Sequence, residues 1–118
     1  MISLEPNNVH DRLLFNVGDD WFIHLTCNDA DGKPIDLIST SAQVEWRLAD
    51  AAGEVLFTKT LGNGIEIVPN TTSEILITVT HAETADVPAG HYRDQTRITV
   101  GDIINVQARG RVDAVATF

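Results

Sequence analysis

The residues of this chain with the most evident chemical potential are the carboxylates of Asn28-Asp29-Ala30-Asp31-Gly32, four histidines and a single thiol. Carboxylates spaced two apart ahead of a glycine are how oxygen cages for calcium are often built. The EF-hand register fails here, because Cys27 falls at the first ligand position and Ile38 stands where a bidentate Glu is required. The segment reads as an acidic turn, with a loop-bound calcium on Asp29 and Asp31 as the competing reading. His10, His24, His81 and His91 fall on separate segments and lack the short spacings that bring two imidazoles to one metal. Cys27 lies on the apolar phase of its segment with no evident base beside it, which predicts a small buried hydrophobe and not a nucleophile. Gly62-Asn63-Gly64 precedes a short strand where a phosphate loop would precede a helix, and neither a nucleophile elbow nor a P-loop occurs. The expectation is a non-enzyme: no catalytic residue, no cofactor and no metal.

The elements around these residues carry an apolar period of two, the mark of strands with one buried face. Trp21, Ile23, Leu25 and Cys27 share one face, and Phe22, His24 and Thr26 the other. Ala42, Val44, Trp46 and Leu48 repeat the pattern, with Gln43, Glu45 and Arg47 outward. Asp50-Ala51-Ala52-Gly53 predicts a hairpin turn into a strand over residues 54–60, where Val55 and Phe57 share a face. Short strands follow at residues 65–68 and 75–80, the second rich in β-branched side chains. Residues 81–87 fit one helical turn, with Thr80 as its cap and Glu83 three residues on. The last two strands span residues 91–100 and 103–115, joined at Gly101-Asp102.

Asp86-Val87-Pro88-Ala89-Gly90-His91-Tyr92 is the sort of corner that precedes a late strand in immunoglobulin-like sandwiches. Tyr92 is expected to bury its ring and return its hydroxyl to the backbone of that corner, joining Trp21 and Trp46 in the core. If Tyr92 points inward, strict alternation sends Asp94 and Thr96 inward too. A bulge that shifts the register is the favoured resolution. An ion pair between Asp94 and Arg93, Arg97, Arg109 or Arg111 is the other.

Length and charge bound the rest. The 118 residues suffice for one domain, 1–118, with 1–11 as a flexible N-terminal arm. One cysteine excludes an internal disulfide and fits a protein that matures in a reducing cytoplasm. Neither a signal peptide nor a membrane helix is expected from the apolar runs. Seventeen acidic against eight basic residues, a formal net charge of -9, argue against nucleic acid as a partner. Phe22, flanked by His24 on the outward face, is the candidate partner contact.

The order Val44-Glu45-Trp46-Arg47-Leu48, Asp50-Ala51-Ala52-Gly53, Gly64-Ile65-Glu66-Ile67, Ile75-Leu76-Ile77-Thr78-Val79, Val87-Pro88-Ala89-Gly90-His91-Tyr92 and Gly110-Arg111-Val112 resembles the immunoglobulin-like domains of phage and prophage tail or baseplate proteins. It is similar in particular to the N-terminal domain of phage baseplate upper proteins, over roughly Trp21 to Val115. The resemblance implies an all-β, immunoglobulin-like sandwich of seven or eight antiparallel strands. It also implies a virion module, assembled in the host cytoplasm, that contacts other tail or baseplate proteins and further copies of itself. Where family members often carry an apolar or aromatic residue two places after the corner Tyr, this chain has Asp94. The rival reading is a carbohydrate-binding or cell-surface-recognition sandwich, which needs two or three exposed aromatics on one face.

Overall fold

A computed structural model of the chain describes residues 8–9, 13–29 and 31–116. The described residues form strands β1 (Asn8–Val9), β2 (Leu13–Asn16), β3 (Trp21–Thr26), β4 (Gln43–Ala49), β5 (Val55–Leu61), β6 (Gly64–Ile67) and β7 (Glu74–Val79). One helical turn, α1 (His81–Thr84), separates these from β8 (Gly90–Val100) and β9 (Ile103–Val115). The protein is therefore all-β. Of the expected arm over residues 1–11, only Asn8 and Val9 are described, and they form a strand on β9.

The strands run in the order β1-β9-β8-β4-β5-β6-β7-β3, with β2 also on β9, and the sheet curls until it is nearly closed. The expectation of seven or eight antiparallel strands is corrected on two counts. The described residues form nine, and β1 and β2 run parallel to β9, as β5 does to β6. The extra strands lie along β9, where Leu13 to Asn16 pair with Val112 to Val115 and cover an edge that would otherwise be open. After β2 only residues 17–20 intervene before β3, so the two ends of the strand order lie next to each other in the chain. Trp21 Nε1 donates to Asn16 O at 2.9 Å across that turn, and its ring stacks on Phe15 with centroids 5.1 Å apart. Asn28 N donates to Gln107 Oε1 at 3.1 Å and adds a second link between β9 and the chain beyond β3.

Alternation places the core. Trp21, Ile23, Val44, Trp46, Leu48, Ile75, Ile77, Val79, Tyr92, Ile98 and Val112 are buried, each on the inward phase of its strand. Ile35 and Leu37 join them from the long connection between β3 and β4, held by Ile35 N to Cys27 O and Leu37 N to Thr72 O. Removing these apolar surfaces from water is the main stabilising term, at about 1.5–3 kcal/mol for each large side chain.

The favoured bulge at Asp94 does not occur there. β8 keeps strict alternation through Tyr92, Asp94, Thr96 and Ile98, all buried, and its register with β9 shifts only between Thr96 and Arg97. Asp94 stays inward because Trp46, also inward on the neighbouring strand, donates its indole N–H to Asp94 Oδ2 at 2.9 Å. A buried carboxylate that accepts such a bond avoids much of the desolvation cost that would otherwise force the register to slip.

Candidate functional site

The acidic turn is built by its own carboxylates. Asp29 Oδ1 accepts the backbone N–H of Asp31 at 2.9 Å and of Lys33 at 3.0 Å, which turns the chain before Ile35 enters the core. Asp36 does the same for Ile38 and Ser39, and Asp50 for Ala52 and Glu54. Asp29 thus acts as a turn-forming aspartate, with one oxygen committed to two main-chain donors. Among the described residues no group of three His, Cys, Asp or Glu side chains could hold a metal ion.

Cys27 is fully buried, and desolvation pushes its thiol up to about 12, so it is protonated and unreactive near neutrality. The histidines are dispersed, and His10 lies outside the described residues. His81 Nδ1 lies 3.0 Å from Asp20, whose carboxyl is held below its ordinary range chiefly by the His81 backbone N–H. His91 Nδ1 lies 2.7 Å from Asp113, which also accepts from Arg111 Nε at 2.8 Å, and that guanidinium is the larger cause of its lowered pKa. These contacts pair one His with one carboxylate each and assemble no acid, base and nucleophile set.

The corner forms as its residues require. Tyr92 is buried and its hydroxyl donates to Pro88 O at 2.5 Å, tying the start of β8 to the chain four residues upstream. Burial, aided by the Asp50 carboxylate, raises the phenol's pKa and keeps it a donor.

The outward faces carry what is left. On the face shared by β3, β7 and β6, Phe22 lies opposite Thr78 and is 57% exposed. His24 lies opposite Leu76 and its Nε2 is 3.0 Å from Glu74 Oε1. Phe22 and His24 therefore share one open surface with the half-buried Leu76. The other outward face, on β4, β8 and β9, holds Arg47, Arg93, Arg97, Arg109 and Arg111. Sequence reasoning treated Arg93, Arg97, Arg109 and Arg111 as alternative partners for Asp94 and placed Arg47 outward on its strand. Their shared outward phase, on strands whose inward residues were already assigned, was the signal that could have grouped them.

Comparison with known proteins finds no matching family model and no matching curated relative. Among the described residues no helix is long and apolar enough to cross a membrane.

Proposed function

We propose that this chain is a non-enzymatic contact module of a phage or prophage tail or baseplate, folded as an immunoglobulin-like sandwich. The strand connectivity supports the fold. Pairings β3-β7-β6 and β2-β9-β8-β4-β5 correspond to the two layers of such a sandwich, and only two residue pairs join β5 to β6 between them. Buried Trp46 on β4 and the Tyr92 hydroxyl bonded to Pro88 O support the same reading, since such sandwiches bury a Trp and carry a corner Tyr. The tail setting, with assembly in the host cytoplasm and a final place in the virion, rests on the resemblance in the strand and corner motifs. The partners are other tail or baseplate proteins and further copies of the chain.

Phe22 carries the reading as a contact module. A ring this exposed on a regular strand, beside Leu76 and His24, releases water when a partner covers it, and aromatic anchors of this kind dominate the energetics of protein interfaces. A carbohydrate platform has weaker support, since Phe22 is the one exposed aromatic among the described residues. Phe22→Ser tests the reading. The variant is expected to keep the wild-type circular dichroism and melting temperature while losing self-association or partner capture on a sizing column. Unfolding of the variant would assign Phe22 to the core, and unchanged association would remove this face from the interface.

A further inference from the structure

Five of the chain's eight basic residues stand on one outward face in a protein of net charge -9. The strand registers fix their arrangement. Arg93 lies directly across from Arg111, Arg47 and Arg109 flank Gln95 in the next row, and Arg97 faces Glu45 in the row after. Arg47, Arg93, Arg109 and Arg111 are exposed and Arg97 is half-buried. Like charges set directly opposite on neighbouring strands destabilise a sheet. The Arg93–Arg111 pair therefore sits where the fold alone would favour a carboxylate, in a chain with seventeen of them. Two arginines have carboxylate partners, Arg47 with Glu45 at 2.6 Å and Arg111 with Asp113 at 2.8 Å. Arg93, Arg97 and Arg109 make no ion pair with another described residue.

We infer that this face docks an extended, carboxylate-rich segment of a partner protein. The inference rests on the reading of the chain as a contact module and adds a second face, opposite in character to the Phe22 surface. Every cation in the group is an arginine, whose planar fork takes a carboxylate through two parallel hydrogen bonds. Successive outward residues along a strand are about 6.8 Å apart, so Arg109 and Arg111 match acidic side chains at alternate positions of an extended peptide. Arg47 and Arg97, with Thr60, Thr99 and Ile104, line a shallow groove of about 320 Å³ that continues the row. Glu45 and Asp113 interrupt the positive field at fixed points, which suits a patterned protein segment better than a uniform polyphosphate. The chain's own carboxylates are a poor match, because Asp19, Asp31, Asp50, Asp86 and Asp102 are spread over separate turns and loops.

The test is fluorescence anisotropy at low salt, about 50 mM, with a labelled peptide of about twelve alternating Glu and Thr residues. The intact protein is expected to bind it saturably. Arg93→Gln with Arg109→Gln is expected to weaken binding about ten-fold or more while the melting temperature holds or rises, since a like-charge pair is lost. A merely structural role for these arginines would instead lower the melting temperature. Absence of binding would overturn the inference. So would equal binding by the double variant, binding of an oligothymidylate of matched charge at least as tight as the peptide's, or salt-sensitive self-association that the double variant abolishes. Loss of association in Phe22→Ser together with no peptide binding would overturn the acidic-segment inference alone and leave the contact-module reading in place.

Discussion

Thr96 sits fully buried on β8 between Trp46 of β4 and Ala108 of β9, and its hydroxyl has no hydrogen-bond partner among the described residues. An unsatisfied buried hydroxyl costs about 1–3 kcal/mol in desolvation that nothing returns. Thr96→Val keeps the branched shape and removes the polar atom, so it should stabilise the fold by about 1 kcal/mol. Thermal or denaturant unfolding measures this, and a destabilised variant would mean that the hydroxyl has a partner after all. Two residues earlier, Asp94 poses the same problem and solves it through the Trp46 indole. Both burials were legible as alternation from Tyr92 onward. What was not legible was the solution, because the acceptor that a buried indole needs lies 48 residues away in the chain. The preference for a bulge followed from counting the cost of a lone carboxylate without counting the indole's demand.

At the scale of elements, α1 does more than turn the chain. Thr80 caps it and Glu83 closes the capping box, as the spacing predicted. Glu83 also accepts from Lys59 Nζ of β5, while Thr84 Oγ1 donates to Asp19 O at 2.6 Å and accepts from Gly18 N at 3.1 Å. One helical turn thereby joins β5 to the turn between β2 and β3. The sequence reading placed Val55 and Phe57 on one face of β5 but did not see that Lys59, on the same phase, would be buried. Its stem runs under Gly64, where an added Cβ would stand 2.5 Å from the Lys59 Cδ and where φ is +93°. The Lys59 ammonium is the chief cause holding the Glu83 carboxyl below its ordinary range. A carboxyl depressed on folding contributes stability that is fully present above its unfolded pKa, and this is lost as pH falls through the folded value. Glu83→Gln should therefore cost on the order of 1 kcal/mol at neutral pH, a modest figure because the carboxylate is partly exposed. The gap to wild type should be flat above about pH 4.5 and close below it. Urea unfolding across pH would refute this if the gap widened on acidification.

For the whole molecule, the legible part was whatever depends on neighbours along the chain. The strand phases, the corner at Tyr92, the caps and the turn aspartates all follow from local residue chemistry. β2, its parallel run along β9 and the burial of Ile35 and Leu37 inside a long connection depend on pairings across much of the chain, for which the sequence carries no periodic signal. The same division holds for the surface. Phe22 stood out as one apolar residue on a polar phase, whereas the arginine face exists only once β4, β8 and β9 are laid side by side. The molecule thus presents the exposed Phe22 ring on one outward face and an arginine-rich surface on another, the two surfaces that the proposed contact module would use. Its mass in solution tests that idea most directly, by light scattering behind a sizing column over a wide range of concentrations. A discrete closed oligomer such as a trimer or hexamer is the predicted result, whereas a strict monomer at every concentration would contradict a module that carries its own interface.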